Sequence, residues 1–219
     1  MAPPKPLRGF TLIELLVAIA VMSLLAIMSW RGLDGMARAQ AQNRERADAV
    51  LTLQTALSQW GADLDATVAL SRLRAIDWDG RTLRLTRRST DGAVPRIQVV
   101  AWSLRADPAA GTRWSRWQSP GFATQEEWQQ AWDRAAAWGQ GGAGVAGDAQ
   151  VDLMPVAEWQ LYYFRSDGWS PAVSAEALGT GTPVPDGVRL VLGLPGGASL
   201  AGAITRDWVR PSATVSKSS

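Results

Sequence analysis

The sequence predicts an α+β fold in which one long N-terminal helix is followed by a domain of short strands. Two observations carry this expectation. No proline occurs between Leu7 and Val94, and apolar residues recur at helical spacing as far as Leu64. Beyond Asp65 the pattern changes to short apolar or alternating runs, punctuated by Asp79-Gly80, Asp91-Gly92 and Asp167-Gly168 as turn signals.

The first nine residues, MAPPKPLRG, are broken by prolines and positive at Lys5 and Arg8. Residues 10–30 read FTLIELLVAIAVMSLLAIMSW. At about 1.5 Å of rise per residue, such a run spans a hydrocarbon core of roughly 30 Å. Its only charge is Glu14. Residues 31–64 continue the helix, with Leu33, Met36, Ala37, Ala47, Val50, Leu51, Leu53, Leu57, Trp60 and Leu64 at helical spacing. One helix from Thr11 to Leu64 is therefore expected, with a membrane half and a soluble half. The stripe from Val50 to Leu64 is expected to pack on the domain that follows, and the surface near Leu33–Ala41 offers a seam for partner helices.

In the domain, residues 65–210, Leu83 and Leu85 alternate with Arg84 and Thr86, as in a half-buried strand. The run RIQVVAWSL, Arg96–Leu104, is apolar on both faces and is expected to lie centrally. Trp114–Gln118, Trp159–Phe164, Val188–Leu192 and Gly202–Val209 read as further strands. Thr124–Trp138 reads as a helix. Thr124 and Glu127 have the spacing of a capping box, Trp128, Trp132 and Ala135 share a face, and Gly139 suits the stop. Residues 139–147 form a glycine-rich loop, and 211–219 a polar tail expected to be disordered.

The chemistry that is missing narrows the function. There is no histidine and no cysteine, so the usual general base, thiol catalysis and thiolate metal sites are absent. The only lysines are Lys5 and Lys217. The acid pairs Asp63/Asp65 and Asp77/Asp79 fit a helix end and a turn better than a catalytic dyad. The EF-hand spacing is lacking, and Gly196-Gly197 lacks the Gly-Lys-Ser/Thr of a phosphate loop. A formal charge of +2 gives no basic face for nucleic acid. No enzyme activity, metal or cofactor is expected. Arg81, Arg84, Arg87 and Arg88 read as a solvated sheet edge. The twelve tryptophans read either as core or as an exposed patch, with Trp114, Trp117, Trp128, Trp132 and Trp138 as candidates for a partner surface.

Three readings compete for the N-terminus. A cleavable secretory signal would use Ala18-Ile-Ala20, but Glu14 interrupts its apolar region and the run continues past that site. A plain membrane anchor explains the length and leaves Glu14 unexplained, since a carboxylate in a spanning segment costs a few kcal/mol. The third reading rests on RGFTLIELLVAI, Arg8–Ile19, which resembles the class III prepilin signal. That resemblance implies cleavage between Gly9 and Phe10 by a prepilin peptidase, methylation of the new Phe10 amine, and a role in assembly for Glu14, whose carboxylate would pair with a neighbouring subunit's Phe10 amine. Thr11-Leu-Ile-Glu14 also has the form of a capping box, a role compatible with the other.

Later segments resemble the J-type minor pseudopilins of type II secretion. They are SWRGLDG at Ser29–Gly35, VAWSLR at Val100–Arg105, WQLYYFRSDGW at Trp159–Trp169, PDGVRLVLGLP at Pro185–Pro195 and RDWVRP at Arg206–Pro211. The resemblance implies a pilin-like fold, with the long helix packed on an antiparallel β-sheet. It also implies a single-pass inner-membrane protein, its leader (residues 1–9) cytoplasmic and its domain periplasmic. Arg31, Arg38, Arg44 and Arg46 would pull the other way by charge alone. The implied partners are the prepilin peptidase, the I- and K-type minor pseudopilins at the pseudopilus tip, and exported proteins. Glu14 argues against the K-type, which lacks that glutamate. A minor pilin of a type IV pilus shares the N-terminal logic, and a membrane-anchored periplasmic binding domain is the rival outside the superfamily.

Overall fold

A computed structural model describes residues 10–89, 95–107, 109, 111–141, 150–173 and 184–211. The leader, the Asp91-Gly92 turn, most of the glycine-rich loop and the tail after Pro211 lie outside the described residues. The element order is α1 (Leu12–Asp65), β1 (Ile76–Trp78), β2 (Thr82–Ser89), β3 (Arg96–Asp107), β4 (Gly111–Gln118), α2 (Gln125–Gly139), β5 (Gln150–Pro155), β6 (Glu158–Arg165), β7 (Gly168–Pro171), β8 (Gly187–Leu194) and β9 (Gly202–Val209). The long helix, the central strand β3 and the strand Gly202–Val209 fall where the sequence puts them. The short strands β1, β5 and β7 are additions to the strands expected from the sequence.

The chain divides into two units inside α1, between Ala47 and Asp48. In the first unit every residue from Phe10 to Ala47 is exposed, including Leu12, Ile13, Leu16 and Met22. The second unit holds the end of α1 and two antiparallel sheets, ordered β1-β2-β3-β4-β5 and β7-β6-β8-β9. Asp79 shapes the turn between β1 and β2. Its Oδ1 accepts the N–H of Arg81 at 3.0 Å and of Thr82 at 2.7 Å, and Gly80 takes φ +89°. Between β6 and β7 the central residues are Ser166 (φ 49°) and Asp167 (φ 68°), one position earlier than the Asp-Gly signal suggests. Both need the left-handed region, as a tight hairpin does.

The first sheet is buried on both faces. On one face Leu83, Leu85, Val100, Trp102 and Trp114 join a core completed by Ala56, Trp60 and Leu64 of α1 and by Trp159, Leu161, Tyr163, Val188, Leu190 and Leu192 of the second sheet. Trp60 stands at its centre, with ring centroids 5.5 Å from Trp102, 5.7 Å from Trp114 and 6.2 Å from Trp159. Aromatic contacts of this kind add about 0.5–1.5 kcal/mol each beyond area burial. On the other face Val99, Ala101 and Trp117 meet Trp128, Ala131, Trp132, Ala135 and Trp138 of α2.

This two-sided burial corrects the expectation of a half-buried β2. Arg84 and Thr86 face α2 and are buried too. Nor are the four arginines an edge. Arg81 and Arg88 are exposed, but Arg84 is bound to Asp77 at 2.6 Å and lies over the Trp132 ring at 4.9 Å, while Arg87 pairs with Asp63. Leu51 of the expected α1 stripe is exposed, whereas Leu53, Leu57, Trp60 and Leu64 pack as expected. Gly139 ends α2 as its last helical residue. Gln140 is the C-cap, and the glycine with positive φ is Gly141.

Candidate processing and assembly site

The site that the sequence singles out lies at the start of α1. Gly9 is outside the described residues. Phe10 precedes the helix and is 85% exposed. Thr11 and Glu14 form a reciprocal cap. The Thr11 N–H donates to Glu14 Oε2 at 3.1 Å, its hydroxyl donates to the same oxygen at 3.0 Å, and the Glu14 N–H donates to Thr11 Oγ1 at 3.4 Å. The cap satisfies two helix-start donors that would otherwise be orphaned. Around it the helix presents only apolar side chains: Leu12, Ile13, Leu15, Leu16 and Val17 are all more than half exposed. The described part of α1 contains a stretch long and apolar enough to cross a membrane.

The five candidate tryptophans are not an exposed patch. Trp128, Trp132 and Trp138 are 4%, 2% and 0% exposed, and Trp114 and Trp117 are equally enclosed. The physical reason is α2 itself. Its tryptophan face covers the first sheet, and two of the indoles are tied inward. Trp128 Nε1 donates to Thr86 Oγ1 at 2.9 Å, and Trp138 Nε1 to Gln150 Oε1 at 2.6 Å. Of the twelve, Trp30 and Trp169 alone are not buried.

The acid pairs are structural. Asp77 is bound to Arg84, Asp79 shapes the turn, and Asp65 accepts Trp208 Nε1 at 2.7 Å. Asp63 is fully buried and is the centre of a polar cluster that sequence reasoning missed. One signal was available: α1 ends in two aspartates with no basic residue in its last turn, the wrong charge for a helix C-terminus. Among the described residues no group of three acidic, histidine or cysteine side chains is placed to hold a metal ion.

Residues 6–30 match the prokaryotic N-terminal methylation motif. The chain carries a prepilin-type N-terminus. Over 96 residues it is also 30% identical to type II secretion system protein J of Vibrio cholerae. That alignment covers 44% of this chain and 36% of the relative, so the match spans about a third of the relative's length. The prepilin-type motif encloses Phe10, Thr11 and Glu14, and the α+β architecture with its long first helix and antiparallel sheets agrees with a pilin-like fold.

Proposed function

We propose that this chain is a J-type minor pseudopilin of a type II secretion system. It is inserted once in the inner membrane, with its N-terminus cytoplasmic and its domain periplasmic. The prepilin peptidase cuts after Gly9 and methylates Phe10. The mature subunit then joins I- and K-type subunits at the pseudopilus tip and supports export of proteins across the outer membrane. One observation carries this reading. Glu14 is the single charge in the exposed apolar stretch 10–30 at the start of α1, inside the matched methylation motif. A lone carboxylate in hydrocarbon is costly and a paired one much less so, which favours docking beside a neighbour's cleaved amine. The similarity to protein J supports the secretion assignment over a pilus.

The test is co-expression of the full chain with a prepilin peptidase, followed by mass spectrometry of the N-terminus. The expected product begins at methylated Phe10. An unprocessed chain, or a cut after Ala20, refutes the reading. Deleting the gene in its own host should abolish export of a secreted enzyme and leave pili intact; loss of pili with normal export would assign the chain to a pilus instead.

A further inference from the structure

Asp63 gathers donors from four elements. Arg116 of β4 binds it in a fork, Nε to Oδ2 at 2.7 Å and Nη2 to Oδ1 at 3.0 Å. Trp102 Nε1 of β3 donates to Oδ2 at 2.9 Å, and Gln59 Nε2, one helical turn back, to Oδ1 at 3.0 Å. Arg87 of β2 completes the set through Nη1. The carboxylate is 0% exposed, and the side chains of Arg87 and Arg116 only 13% and 12%. Three adjacent strands thus converge on one helical side chain. Two residues on, Asp65 takes the indole N–H of Trp208, from the second sheet. The rest of this contact is a cluster of indoles and aliphatic chains, which is attractive without being strongly directional.

We propose that Asp63 is the register key of α1: its hydrogen bonds, rather than the apolar contacts, fix the rotation and axial position of the helix end between the two sheets. An α-helix sliding by one residue moves about 1.5 Å and turns roughly 100°. Such a shift would carry Asp63 away from all three strands at once and leave two largely enclosed guanidinium groups without that counter-charge. Buried ion pairs are in general no more stabilising than apolar residues of like shape, and their best attested use is to select one arrangement among several. The present geometry suits that use. A fork and an indole N–H constrain direction, and donors from β2, β3 and β4 constrain position along and across the sheet.

The native chain has no cysteine, so spin labels can be placed at will. Ser58 on α1 and Gln130 on α2 are exposed, and both belong to the second unit. The full chain carrying S58C and Q130C, in detergent micelles, should give one narrow distance distribution by pulsed electron paramagnetic resonance. The triple variant Asp63→Leu, Arg87→Met and Arg116→Met should still fold, and its distribution should broaden or split by roughly one helical step, about 1.5 Å or more. A folded triple variant with the native narrow distribution overturns the proposal, since packing would then suffice. If the triple variant does not fold, Asp63→Asn with the same labels takes its place: broadening supports the key and an unchanged distribution overturns it. Failure of both variants to fold also overturns it, because the cluster would then be a requirement of the core itself.

Discussion

Gly139 should be intolerant of even one added methyl group. It is the last residue of α2 and sits against β2. A Cβ there would collide with Thr82 Oγ1 and stand 2.8 Å from Thr82 Cβ and 2.9 Å from Thr82 Cγ2. Rotating the threonine cannot relieve the clash, because its Cβ is fixed to the strand and Thr82 is fully buried. Gly139→Ala therefore forces α2 outward or β2 aside, at a cost of about 1–3 kcal/mol. Alanine's better helix propensity offsets at most about 1 kcal/mol of this, and less at a helix end. The net expectation is a loss of roughly 1–2 kcal/mol, which for a domain of this size lowers Tm by about 2–8 °C. Urea and thermal unfolding of the full chain in detergent measure it. Among the described residues Thr82 Oγ1 has no hydrogen-bond partner, so Thr82→Ala sacrifices no bond and removes the contacts at Oγ1 and Cγ2, leaving only the one at Cβ. The double variant should recover about 1 kcal/mol relative to additivity. A neutral or stabilising Gly139→Ala, or strictly additive single effects, would refute the close-packing argument.

Three further outcomes are expected. Glu14→Ala should preserve cleavage after Gly9 and membrane insertion while reducing crosslinking to other pseudopilins; wild-type crosslinking would leave Glu14 as the Thr11 cap and nothing more. Trp128→Phe should cost about 1 kcal/mol, since Thr86 Oγ1 loses its indole donor and keeps only its own bond to the Arg74 carbonyl, and crosslinking should stay at the wild-type level because the ring is enclosed. Glu127 is held below the ordinary glutamate value of 4.5, first by the N–H of Ala123 and then by that of Thr124. A depressed folded-state value means that its contribution is fully present above 4.5 and is lost as pH falls through the folded-state value, so Glu127→Gln should lower stability at neutral pH and flatten the acid limb of the stability profile.

The backbone plan was legible because it is written in period and punctuation. A proline-free stretch with a helical repeat, weak only between Ala39 and Arg46, marked α1, and the capping box Thr124/Glu127 located the N-cap of α2. The two-sided burial of β2 was not legible. Arg84 and Thr86 look like a solvent face, and only the position of α2 across the sheet turns that face inward. A strand's pattern reports polarity, and polar groups are admitted to an interior once each finds a partner. Asp77 supplies one for Arg84, and Trp128 and the Arg74 carbonyl supply two for Thr86. The N-terminal methylation motif was legible for the opposite reason. Residues 10–30 form a run long and apolar enough to cross a membrane, and in such a run a single Glu14 stands out with no tertiary contact needed to interpret it.

The tryptophans make the same point from the other side. Indole is both the largest apolar group available and a hydrogen-bond donor, so composition alone cannot separate core from interface. Position within the domain does. Trp102 and Trp208 bind the two aspartates at the end of α1, and Trp128 and Trp138 bind α2 to the first sheet. Four of the indoles thus join elements that neither helix propensity nor strand pairing would bring together. Among the surfaces that remain outside, Leu51 on α1, with Gln54, Thr55, Ser58 and Ala62 beside it, is an exposed face of the same helix that buries Trp60. Any contact made there would bear on a helix end already keyed by Asp63, so its geometry would be transmitted by a fixed element rather than a loose one.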